Sequence, residues 1–138
     1  IVPTGDIGSA QVAKAVNNMV MWACLVANHE ALALAQRYGL DVEAMRKALL
    51  TTHAANAGLE NWGKNSMAWA DDDMEIVAAM SKEKKLPLRQ AKVVQAICRW
   101  LKPVRFKLEQ YGRGGPKEKS AAGKAKVSGK KGKKKKPR

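Results

Sequence analysis

A chain of 138 residues can bury one core of ordinary size and is too short for a nucleotide-binding fold together with a second domain. Its formal net charge of +14 would suggest a nucleic-acid ligand, yet residues 112–138 hold 12 of the 26 Lys and Arg against one acid, Glu118, so residues 1–111 are close to balance. Cys24 and Cys98 lie far apart in apolar surroundings without metal-ligand spacing, and the opening segment has neither the basic start nor the apolar run of a secretory signal; together these suggest free buried thiols in a cytoplasmic protein, a disulfide being the alternative.

Residues 1–8, with glycines at Gly5 and Gly8, are expected to form a turn at the domain edge, and Ile1-Val2 is at most the stub of a strand. Ser9 is a candidate cap for a long helix running from Val12 to about Tyr38, where Gly39 suits a left-handed stop. The middle of that helix, Met19 to Ala27, is apolar on every side, which predicts burial all round. The run is interrupted by Asn28, His29 and Glu30, well short of the roughly 20 residues a bilayer requires, so a membrane span is rejected. A central position in a bundle, or in a homodimer whose partner covers a second apolar face, accounts for it.

Asp41 is placed to cap a second helix carrying Val42, Met45, Ala48, Leu49 and Leu50, which Thr51-Thr52 weakens. Residues 53–70 read as a short helix and loop holding Leu59, Trp62, Met67 and Trp69, with Gly58 and Gly63 breaking regularity. Asp71-Asp72-Asp73 favours a helix start, followed by Met74, Ile76, Val77 and Met80 as its buried face and an end near Lys85. Leu86-Pro87-Leu88 is a break, and residues 89–102 supply a last stripe in Val93, Val94, Ala96, Ile97, Trp100 and Leu101. The expected fold is all-α: a bundle at residues 9–103 around one long helix, with a disordered basic tail at 112–138.

Lys14 and Asn18 share one face of the long helix, and Gln11 extends it by a turn. An ammonium and an amide projecting together from a mostly apolar helix suit a substrate site, although a lysine snorkelling near a helix start fits the same spacing. His29 and His53 have no second ligand at metal spacing, so no metal is expected. The Asp71–Asp73 acids are explained by the helix dipole more simply than by a hard cation.

The string Gly5-x-x-Gly8-Ser9-Ala10-Gln11-x-x-Lys14-x-x-x-Asn18, followed by Glu30-Ala31-Leu32 and Tyr38-Gly39-Leu40-Asp41, resembles the start of the C-terminal domain of the β-hydroxyacid dehydrogenases. That family includes the 3-hydroxyisobutyrate and 6-phosphogluconate dehydrogenases, and the likeness covers roughly residues 3–102. The resemblance implies a substrate and dimerisation domain of an NAD(P)-dependent oxidoreductase. It assigns catalysis to Lys14 and substrate binding to Asn18, with Gly8 and Gln11 beside them. A lysine amine near the substrate hydroxyl can exchange its proton as hydride leaves, and partial desolvation would favour the amine. Asn18 can donate to the same oxygen or to a carboxylate.

Three departures accompany the resemblance. No G-x-G-x-x-G follows a strand, so NAD or NADP would be held by a nucleotide-binding domain supplied from elsewhere and the chain alone is expected to be inactive. Asp72-Asp73 stands where the family usually carries Lys-Asp, and Gly8-Ser9-Ala10 replaces a Gly-x-Gly. The rival reading is a non-catalytic helical dimerisation module whose tail, through Lys130, Lys131, Lys133, Lys134, Lys135 and Lys136, binds nucleic acid or other polyanions in a salt-sensitive way.

Overall fold

The computed structural model describes residues 8–111. The expected edge turn before Gly8, the stub at Ile1-Val2 and the basic tail at 112–138 with its lysines lie outside the described residues. Among the described residues the chain is all-helical, with five α-helices, two 3₁₀ turns and no strand.

Helix α1 spans Ser9–Arg37, 29 residues. Gly8, not Ser9, is its N-cap. The chain enters at φ 97°, a conformation open to glycine and strained for a residue bearing a Cβ, and the Gly8 carbonyl accepts from Gln11 N and Val12 N. The far end closes as expected: Gly39 takes φ 78°, and Leu40 N donates back to Ala35 O at 3.1 Å, satisfying a carbonyl of the last turn.

Two apolar clusters share α1. Its first half supplies Trp22, Leu25 and Val26 to a cluster with Met67, Ala70, Met74, Val94, Cys98 and Leu101. Its second half supplies Leu32 and Ala33 to a cluster with Leu59 and Leu108, against which Val42, Met45 and Trp62 pack. The long helix therefore contributes to both clusters. Burial all round is not what the structure shows: Val20 is 53% exposed and Met21 is also exposed, because α1 is covered on one side only.

Asp41 caps α2 (Val42–Leu49), its carboxylate accepting from Ala44 N at 2.6 Å. Asn56 caps the short α3 (Ala57–Glu60) by accepting from Leu59 N, and exchanges two amide hydrogen bonds with Asn28 of α1 at 2.9 and 3.1 Å. Gly58 is small for a reason, since a Cβ there would lie 2.9 Å from Asn28 Nδ2 and 3.0 Å from Asn56 Oδ1. Helix α4 (Ala70–Glu83) opens with the three acids near the positive end of its dipole and closes at Lys85, whose φ of 52° is left-handed. After the break at Leu86–Leu88, α5 (Arg89–Leu101) packs on α1 and α4. Ile76 and Val93, expected on buried faces, are both exposed; Val77, Val94 and Cys98 hold the inward positions.

Past Leu101 the chain makes two 3₁₀ turns, Lys102–Val104 and Leu108–Gln110, and folds back on the second half of α1, so the packed region extends beyond residue 103. Leu108 is buried there. His29 binds the returning segment. Phe106 N–H donates to its Nε2 at 3.1 Å, which leaves the proton on Nδ1 to donate to Leu25 O at 2.8 Å. The imidazole packs against the rings of Trp62 and Phe106, which also meet each other, and is neutral, its pKa pushed below the ordinary 6.5 by burial.

Candidate functional site

At the opposite end of the bundle α1 and α4 diverge around a cleft of about 360 Å³ lined by Gln11, Lys14, Ala15 and Asn18 from α1 and by Asp73, Ile76 and Met80 from α4. One helical face explains the first group: residues 11, 14, 15 and 18 recur at three- and four-residue steps and project side by side. Asp73, Ile76, Val77 and Met80 do the same on α4, where Val77 turns into the core and its neighbours turn toward the cleft.

Lys14 is exposed and makes no ion pair or hydrogen bond among the described residues. Asn18 is half-buried; its Oδ1 accepts from Asn17 Nδ2 at 3.1 Å, which leaves the Asn18 amide NH₂ to donate. An ammonium and an amide donor on one wall can receive a carboxylate or an oxygen on which negative charge develops. The desolvation expected around Lys14 is not supplied by the described residues, since its side chain stands at the open rim.

Asp73 is the residue that spacing alone did not single out. It lines the same cleft as Lys14, yet the two are not ion-paired; its Oδ2 accepts instead from the indole Nε1 of buried Trp22 at 3.0 Å. Trp22 lies four residues after Asn18 on the same side of α1, so its indole holds that carboxylate beside the cleft, a contact between residues 51 apart in sequence. Asp71 turns away to pair with Arg99 at 3.0 Å, and Asp72 is exposed.

The remaining candidates fall elsewhere. Gly8 begins α1 and does not line the cleft. His29 is the satisfied core histidine described above, and His53 is exposed on the loop after α2. No group of three His, Cys, Asp or Glu among the described residues could hold a metal ion. Cys24 and Cys98 are both free thiols; Cys98 is buried, with its pKa pushed up to about 11 by burial and by the nearby Asp71 charge, whereas Cys24 is only half-buried. Among the described residues no helix is long and apolar enough to cross a membrane.

The described residues thus form a strandless helical domain whose cleft carries an ammonium and an amide NH₂ on one wall. In a comparison with protein families, residues 8–105 match the family described as NAD-binding of NADP-dependent 3-hydroxyisobutyrate dehydrogenase. The match spans most of the chain, and the chain belongs to this dehydrogenase family. No curated protein and no solved structure matches it.

Proposed function

We propose that residues 8–105 are the helical, substrate-facing half of an NAD(P)-dependent 3-hydroxyacid dehydrogenase, the C-terminal domain of such an enzyme, with Lys14 as its catalytic acid–base. The observation that carries the reading is the shared cleft: Lys14, Asn18 and Gln11 stand together on one wall, with no protein partner for the ammonium among the described residues. Lys14 exchanges a proton with the hydroxyl oxygen of the substrate, and the Asn18 amide donates to that oxygen or to the carboxylate. The family's description names NAD binding, but the described residues do not form a cradle for a dinucleotide. They offer no glycine loop after a strand, and of the two helix starts beside the cleft that of α4 carries Asp71, Asp72 and Asp73, whose charge repels a pyrophosphate. The dinucleotide, whose nicotinamide accepts the hydride, therefore belongs on a separate nucleotide-binding domain, and these residues close the substrate side.

Combining the chain with a nucleotide-binding domain of the same family and following nicotinamide reduction with 3-hydroxyacids tests this. Turnover is expected only from the combination and is lost in Lys14→Ala; an undiminished rate in Lys14→Ala overturns the assignment.

A further inference from the structure

A second cavity, larger than the cleft that holds Lys14, lies between α4 and α5. It encloses about 480 Å³ against about 360 Å³ for the cleft, which places it within the range of small-molecule sites. The space exists because small side chains line it where facing helices are usually filled: Ala78 and Ser81 from α4 and Ala91 from α5. Buried Met74 and Val77, with half-buried Leu88, give it an apolar floor. Its α4 residues fall about a third of a turn around that helix from Asp73, Ile76 and Met80, and no residue lines both spaces.

The charge of the cavity comes from α5. Arg89 and Lys92, one helical turn apart, both line it, and neither side chain makes an ion pair or hydrogen bond among the described residues. No acid lines the cavity. Acids of α4 are engaged elsewhere: Glu83 pairs with Lys84 at 2.7 Å, and Asp71 and Glu75 face Arg99 at 3.0 and 3.8 Å. Residues 84–108 contain eight Lys or Arg and no Asp or Glu, so the field at the mouth is positive. Gln95, a turn beyond Lys92, adds an amide whose side chain has no partner among the described residues. The Ser81 hydroxyl already donates to Leu86 O, so the donors left for an anion are those of α5.

We propose that this cavity binds a small phosphate monoester with an aliphatic body, its phosphate held by Arg89 and Lys92 and its chain laid on Met74, Val77 and Leu88. Charge selects the head group. A phosphate monoester carries about −1.5 to −2 at neutral pH and matches two cations, whereas a single carboxylate leaves one of them unbalanced. The lining selects the body: no aromatic side chain is present for a nucleobase to stack on, and bare inorganic phosphate leaves the apolar floor uncovered. The site is independent of the catalytic reading, since it uses no residue of the Lys14 cleft.

Calorimetric titration of the full chain with octyl phosphate tests the proposal, with octanoate, octanol and inorganic phosphate as comparators and circular dichroism confirming that variants remain helical. Octyl phosphate is expected to bind one molecule per chain, more than about tenfold tighter than each comparator. Joint replacement by Arg89→Ala and Lys92→Ala removes the charge, and Ala78→Trp, at an exposed position, fills the space. Each is expected to weaken binding by more than about tenfold, while Lys14→Ala leaves it unchanged. An absence of octyl phosphate binding overturns the proposal, as does octanoate or octanol binding equally tightly. Binding that either variant leaves unaltered, or that Lys14→Ala abolishes, overturns it too.

Discussion

Along the second half of α1, Asn28 exchanges amide bonds with Asn56, His29 donates to Leu25 O and accepts from Phe106 N, and Arg37 reaches the Tyr111 carbonyl at 2.7 Å. Along the first half, Gln11, Lys14 and the Asn18 amide NH₂ face a cleft with no partner among the described residues. The same helix thus locks one end of the bundle with internal hydrogen bonds and leaves the other end's donors without a partner among the described residues. The residues that lock the fold and those that line the cleft are separated by about three turns, and substitutions at the two ends should have separable effects.

The largest expected effect is at the open end. In the assembled enzyme Lys14→Ala should lower the rate constant by about 10²–10⁴-fold, the usual contribution of a positioned acid–base, while the unfolding midpoint is unchanged. A drop in stability of similar weight would mean that the lysine holds the fold and would dissolve the contrast. At the locked end Asn28→Ala removes two hydrogen bonds from Asn56, which keeps those to Ala54 O and Leu59 N, and should cost about 1–2 kcal/mol in denaturant unfolding, with turnover at saturating substrate retained. An unaltered midpoint would show that the amide pair is idle.

A pH measurement sharpens the comparison further. The His29 pKa is lowered by burial, so as pH falls through the ordinary 6.5 the unfolded chain takes up a proton that the folded chain refuses. Stability should therefore be level above about pH 7 and decline below it, and the decline should disappear in His29→Gln when both are followed by urea unfolding between neutrality and the onset of carboxylate titration. The smallest effect is predicted for Arg99→Ala, which breaks the partly exposed pairs with Asp71 and Glu75 and should cost less than about 1 kcal/mol.

Periodicity and caps made most of the fold legible. Asp41, Gly39 and the Leu86-Pro87-Leu88 break act in the structure as their chemistry predicts, because each is a local backbone preference that tertiary contacts need not override. Ser9 misled because the glycine before it could adopt the left-handed geometry and begin the helix one residue earlier than a hydroxyl cap would. Ile76 and Val93 were misplaced because a helical stripe gives a set of apolar positions but not which edge meets a neighbour. The clustering of Lys14 with Asn18 followed from their spacing, whereas Asp73 joins them only through the packing of α4 against α1, a contact between residues far apart in sequence. The return of Phe106 to His29 is equally non-local, and no pattern near residue 29 announces it.

The hydrogen bond from Trp22 to Asp73 also makes the protein its own spectrometer. The indole is sealed in the core at 3% exposure while the carboxylate it grips forms part of the cleft wall, so any molecule that draws Asp73 aside alters the field on a chromophore that solvent does not reach. With Trp62, Trp69 and Trp100 replaced by phenylalanine, emission from Trp22 alone would report occupancy of the cleft without a label and without turnover.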